Sequence, residues 1–114
     1  MSEEPLTPPP AATHAGPAAA LWIVVAQNER INRDWEALIK DAGSNTAKCY
    51  DHLRSTPMLR RPGRIFPLRG KKYAGAWEYE LTAGERVFYV PDPQARKVTV
   101  YYAGPHPDPA PFPP

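Results

Sequence analysis

The chain has 114 residues, with 14 Lys and Arg against 12 Asp and Glu, 16 prolines and a single cysteine. That length holds one domain, lone Cys49 excludes an internal disulfide and fits a reducing compartment, and no apolar run approaches the roughly 20 residues of a membrane-spanning helix. An acidic opening (Glu3, Glu4), with no basic residue ahead of the short apolar run Ala18–Ala26, is not a secretory signal; a cytoplasmic protein with no membrane partner is expected.

Residues 1–20 are Pro- and Ala-rich without apolar periodicity, and residues 107–114 are close to a proline tract. Such compositions bury too little apolar surface to offset chain entropy, so both ends are expected to be disordered around a folded domain over 21–106. Within it, Leu21–Ala26 (LWIVVA) reads as one short buried strand. Asn28 is a candidate N-cap, and Glu29 suits the positive end of a helix dipole. Ile31, Trp35, Leu38, Ile39 and Ala42 then recur at helical spacing, predicting a helix over Glu29–Asp41 with Trp35 in the core and Gly43 closing it in the left-handed conformation. Ser44 or Asn45 can cap a second helix to about Ser55 that turns Ala47, Cys49, Tyr50 and Leu53 inward and stops before Pro57. So short a link predicts an antiparallel helical hairpin.

From Arg54 to Lys72 the chain carries seven cations and no acid, half of all its Lys and Arg. Arg60, Arg61, Arg64, Arg69, Lys71 and Lys72 are therefore candidate contacts to a polyanion, nucleic acid above all; the alternative is a solvated basic loop. One short strand, Arg64–Leu68, falls inside this segment. Three more follow, at Ala76–Leu81, Arg86–Val90 and Val98–Ala103, the first two joined by Thr82-Ala83-Gly84-Glu85 as a hairpin. The order predicts an α+β fold, with an N-terminal strand and a helical hairpin packed on one face of a mostly antiparallel, twisted sheet.

Period-two alternation turns Trp77, Tyr79, Leu81, Val87, Tyr89, Val98, Val100 and Tyr102 toward the helices. It leaves Glu78, Glu80, Arg86 and Tyr101 on the open face, with His106 at its edge; a slip of one residue would invert the assignment. Arginine offers a fork of donors that matches phosphate, histidine transfers protons near neutrality, and a carboxylate with a raised pKa is a base. Together they suffice for RNA cleavage through the substrate's own 2′-hydroxyl, with no metal or cofactor. The alternative is that Glu78, Glu80 and Arg86 form a cross-strand salt bridge on a solvated face, with His106 merely the end of the ordered chain. His14, His52 and His106 share no ligand spacing with Cys49 or a carboxylate pair, so no metal site is expected.

The runs LRG (Leu68–Gly70), AWEYEL (Ala76–Leu81), GERVFYV (Gly84–Val90), VTVYYAG (Val98–Gly104) and His106-Pro107 resemble, in order and spacing, the RelE/ParE superfamily of bacterial toxins over about Trp35 to Pro107. The likeness is to RelE-type endoribonucleases, which cut mRNA on the ribosome, arrest translation, and are held inactive by a cognate antitoxin. It implies those partners: an antitoxin, mRNA and the 70S ribosome. By position it puts Arg86 on the scissile phosphate and His106 at a phosphate-contacting or general-acid position, while Glu78 and Glu80 stand where several relatives have lysines. Many relatives also carry a tyrosine shortly after the His106 position, where this chain has Pro107-Asp108-Pro109; Tyr101 or Tyr102 can substitute only by pointing to the open face. The resemblance leaves two alternatives: a ParE-like gyrase inhibitor, or a member that only binds RNA or protein.

Overall fold

The computed structural model describes residues 2–10, 12 and 21–114. Glu4–Pro5 forms β1, Ile23–Ala26 β2, Glu29–Asp41 α1, Gly43–Ser55 α2, Ile65–Pro67 β3, Trp77–Glu80 β4, Glu85–Asp92 β5 and Lys97–Pro105 β6, with a 3-10 turn at Lys71–Tyr73. Among the described residues the strands form one six-stranded sheet in the order β1-β2-β6-β5-β4-β3. Every neighbouring pair is antiparallel except β2 with β6. The parallel pair follows from chain order, since two helices intervene before the sheet is rejoined from the far side. Two helices on a mixed sheet make the α+β architecture expected.

Helix α1 starts where Asn28 predicts it, the Asn28 side chain accepting from the Ile31 N–H at 3.0 Å. Its end differs from expectation, because Gly43 does not close it in the left-handed conformation. Ala42 (φ −144°, ψ 53°) caps both helices, donating its N–H to the Leu38 carbonyl and accepting from the Thr46 N–H. One residue thus serves both ends, and Gly43 is already the first residue of α2. Neither Ser44 nor Asn45 caps α2, because both lie inside its first turn; Asn45 instead donates through Nδ2 to the Leu81 carbonyl, tying α2 to the β4–β5 turn.

Ile31, Trp35 and Leu38 of α1 and Cys49, Tyr50 and Leu53 of α2 pack on Ile65, Tyr79, Leu81, Val87, Tyr89, Val98 and Val100. Fully burying one such aliphatic side chain stabilises by about 1.5–3 kcal/mol, so this layer dominates the fold. The buried phenols are satisfied: Tyr89 donates to the Pro57 carbonyl at 2.6 Å, and the Tyr79 hydroxyl lies 2.8 Å from His52 Nδ1.

The period-two assignment holds through β4 and β5 and fails in β6. Phe88 pairs with Tyr102 but Tyr89 with Val100, so Tyr101 is an extra residue, a β-bulge. Beyond it parity is inverted: Ala103 enters the core, and Tyr102 joins Tyr101 against Phe88 on the outer face.

The expectation of disorder at the two ends also fails for the residues described. Glu4 and Pro5 pair with Ala26 and Val25 at the sheet edge, where proline is tolerated. Leu6 is buried in the main core, and the Thr7 carbonyl accepts from Trp35 Nε1 at 2.8 Å. A single anchoring leucine outweighs the polar, proline-rich average. Residues 1, 11 and 13–20 of that extension lie outside the described residues. Residues 107–114 have no regular secondary structure, yet they pack on the sheet: Tyr73 and Tyr101 donate to the carbonyls of Ala110 and Pro111, and Phe112 meets the Tyr73 ring.

Candidate functional site

The outer sheet face is built from cross-strand rows. One row runs Phe66, Glu78, Phe88, Tyr102 across β3, β4, β5 and β6, and the next holds Glu80, Arg86 and Gly104. Residues paired across a sheet point to the same side, so Glu78 and Arg86 share the face opposite the helices, as expected. A Pro-Gly turn at Arg61–Arg64, with Gly63 at φ +70°, folds Arg61 back onto Ile65 at the start of β3; that conformation suits glycine at the third position of such a turn.

Arg86 is the hub of this face. It is only 8% exposed. Nε donates to Glu78 at 3.1 Å, NH2 pairs with Glu80 at 3.2 Å, and NH1 donates to the carbonyls of Thr82 at 2.7 Å and Glu85 at 3.0 Å. Five N–H donors are available to a guanidinium; those of Nε and NH1 are hydrogen-bonded, and NH2 is ion-paired with Glu80. The fork expected to receive a phosphate is therefore closed around the hairpin, and Arg86 acts on its two carboxylates and the turn. The salt bridge of the alternative reading is present, sheltered at Glu78 rather than solvated.

Burial pushes the Glu78 carboxyl above its usual range, with neighbouring Glu80 adding to the rise, while Arg86 first and His106 less strongly oppose it. Glu78 is thus a carboxylate of increased basicity held in one orientation by Arg86. The His106 N–H donates to the Gly84 carbonyl at 2.9 Å, fixing the backbone there, and its side chain is exposed at the rim of the same face. Sheet register therefore brings together Glu78, Glu80, Arg86 and His106. Among the described residues no three His, Cys, Asp or Glu side chains are grouped to hold a metal ion.

The basic candidates do not form one stripe. Arg64 is spent internally, donating through NH1 to the Glu80 and Leu81 carbonyls and lying over the Tyr79 ring. Arg61 donates to Thr56 Oγ1 and, with Arg64 and Lys48, contributes to holding His52 below its ordinary pKa, where burial is the first cause. Arg60, Arg69, Lys71 and Lys72 are exposed, and Lys72 Nζ sits over the Phe112 ring. Tyr101 is buried on the outer face, its phenol pushed up by burial. Sequence reasoning missed Tyr73, whose hydroxyl and ring both serve this face. Its place between Lys72 and the outer strands, an aromatic set among cations, was the available signal.

No family model matches the chain, and no curated protein matches it by sequence. Solved structures do. The chain is similar to the YoeB/ParE toxin from Agrobacterium tumefaciens at 24% identity and a TM-score of 0.57, over 74% of this chain and 98% of that one. It is similar to a metal-bound toxin from Helicobacter pylori at 19% identity and a TM-score of 0.58, over 79% of this chain and 99% of that one. The YoeB–YefM complex from Staphylococcus aureus contains a further similar chain, at 13% identity and a TM-score of 0.56, over 75% and 98% of the two chains. The chain therefore shares the fold of these solved toxins.

Proposed function

We propose, from the premise that this chain has a YoeB/ParE-type toxin fold, that it is the toxin of a toxin–antitoxin pair and cleaves mRNA, in association with the ribosome, without a metal. The observation that carries the reading is Glu78, a carboxylate of raised pKa locked on Arg86 within electrostatic reach of His106. Glu78 takes the proton of a ribose 2′-hydroxyl, whose oxygen attacks the adjacent phosphorus. The bond to the 5′-oxygen breaks, His106 protonates that oxygen, and a 2′,3′-cyclic phosphate remains. Arg86 keeps Glu78 in place and adds positive charge near the phosphorane, while Glu80 holds the other side of the guanidinium. The exposed cations Arg60, Arg69, Lys71 and Lys72 bind the RNA backbone, and a cognate antitoxin, of the kind present in the Staphylococcus complex, restrains the protein in a cytoplasmic setting.

The test is the purified chain and its Glu78→Gln and His106→Ala variants, on free RNA in the presence of a chelator and on ribosome-bound mRNA in magnesium buffer. Cleavage leaving cyclic phosphate ends, lost at least a hundredfold in both variants while the fold is retained, is the expected result. Unimpaired cleavage by both variants refutes the assignment.

The closure of Arg86 favours a second reading, a member of the same fold that acts by binding alone, to gyrase or to RNA. Growth arrest with intact mRNA and an induced DNA-damage response, unaffected by His106→Ala, selects it.

A further inference from the structure

The outer face is not bare. Residues 107–114 cross it as a strap held at three points. Tyr73 donates to the Ala110 carbonyl at 3.0 Å and Tyr101 to the Pro111 carbonyl at 3.1 Å. Phe112 lies 5.1 Å from the Tyr73 ring centre, with Lys72 Nζ 5.7 Å from its own. Between these anchors Ala110 packs into the outer apolar cluster of Ala76, Phe88 and Tyr101. Phe88 is the cross-strand partner of Glu78, so the strap lies one strand from the carboxylate of the candidate site.

The surface under it has groups suited to an unpaired nucleic-acid chain: two tyrosines whose hydroxyls now donate to the strap, and the Lys72 ammonium, now over Phe112. Bases stack on aromatic rings whatever their identity, at about 1–3 kcal/mol each, and cations follow the backbone. A proline-rich segment is an apt internal occupant, because it has little conformational entropy to lose on docking and offers carbonyls with no competing N–H at proline.

We propose that residues 107–114 are an autoinhibitory strap: they occupy the RNA-binding groove of the outer face, and Tyr73, Tyr101 and Lys72, which hold the strap, receive unpaired RNA when it leaves. The masking role rests on the nuclease reading above; the docking does not. A strap seated nine-tenths of the time lowers the apparent affinity for RNA about tenfold.

Two measurements on the full chain test it. The first is the Ala110 methyl signal by NMR, in the native protein and in Phe112→Ser, which removes an exposed ring and no core contact. In the native protein the signal is displaced by the neighbouring rings. It moves to the random-coil position in Phe112→Ser and, in the native chain, on adding an unpaired RNA dodecamer. The second is the affinity for that dodecamer and its cleavage rate, in the native chain, in Phe112→Ser and in a chain ending at Asp108. Both variants bind about tenfold tighter and cut correspondingly faster at limiting RNA. A random-coil Ala110 signal in the native protein, or equal affinity and rate in all three chains, overturns the strap. If no chain binds or cuts RNA, the nuclease reading falls and the masking role with it, whereas a strap failure leaves cleavage intact and equal.

Discussion

Replacing Arg86 with methionine keeps a flexible unbranched stem and removes the guanidinium with its charge and donors, which makes it the sharpest test of what this arginine does. In the native fold it neutralises Glu78, whose side chain is only 12% exposed, and fills the carbonyls of Thr82 and Glu85. Removing one partner of a sheltered ion pair costs about 3–5 kcal/mol, because the other charge is left uncompensated. Glu80 is 32% exposed and contributes little to that sum, since water screens it. About 3 kcal/mol of lost stability is expected at pH 8.

The pH dependence gives this magnitude its signature. The folded pKa of Glu78 is already raised by burial, with Arg86 as the main opposing influence. A carboxyl with a raised folded pKa binds more protons folded than unfolded, so stability falls as pH rises from its unfolded pKa through its folded one. Without Arg86 the folded pKa rises further, and the falling window extends to higher pH. The loss in Arg86→Met is therefore smaller at pH 5 than at pH 8, and adding Glu78→Gln recovers part of it at pH 8 only. Urea unfolding of the native, single and double variants at both pH values reads this directly. A loss below about 1 kcal/mol, equal at both pH values, would refute the hub, and the guanidinium would then be free to serve phosphate alone.

Leu6→Ala is expected to cost about 2–4 kcal/mol, as for a leucine in a closed core; a loss near zero in chemical denaturation means that β1 is not held. His52 has its pKa lowered by burial and by Arg61, Arg64 and Lys48, so its contribution to stability disappears as pH falls from about 6.5, where histidine ordinarily protonates. His52→Ala should flatten the stability profile over that interval, and an unchanged profile refutes the assignment. Lys71→Ala and Arg69→Ala should each lower the slope of log affinity for unpaired RNA against log salt by about 0.7, whereas Arg64→Ala should mainly reduce stability. A reduced slope for Arg64→Ala with unchanged stability reverses that division.

The elements that were legible in the sequence are those whose signal is spread over many residues. Helix α1 shows its cap in Asn28 and its buried stripe in Ile31, Trp35 and Leu38, and the structure has the same bounds. The β4–β5 hairpin is visible as two alternating runs about a glycine-containing turn, and its register puts Glu80 opposite Arg86. What could not be read rests on single residues. Tyr101 makes a bulge with no composition of its own, and that one residue moves Tyr102 to the outer face and Ala103 to the core. Leu6 and Phe112 each anchor a segment whose average composition denies them an anchor. Ala42 caps two helices through backbone bonds that leave no mark on side-chain type.

Arg86 shows why the site was harder to read than the fold. Its position opposite Glu78 and Glu80 follows from strand register, but its availability depends on the carbonyls of the turn that precedes it, and carbonyls are invisible in a sequence. With Nε and NH1 hydrogen-bonded and NH2 ion-paired, its charge still acts on Glu78 and on anything that approaches Glu78, while its geometry no longer offers a fork. On the reading proposed above, phosphate recognition falls to the exposed cations Arg69, Lys71 and Lys72, and to the tyrosines once the strap has left them. A ligand drawn to those groups must lift residues 107–114 to reach Tyr73 and Tyr101. The proposed strap and the closed guanidinium are thus compatible with one site: if RNA binding is gated on the outer face, Glu78 is held by Arg86 beside it.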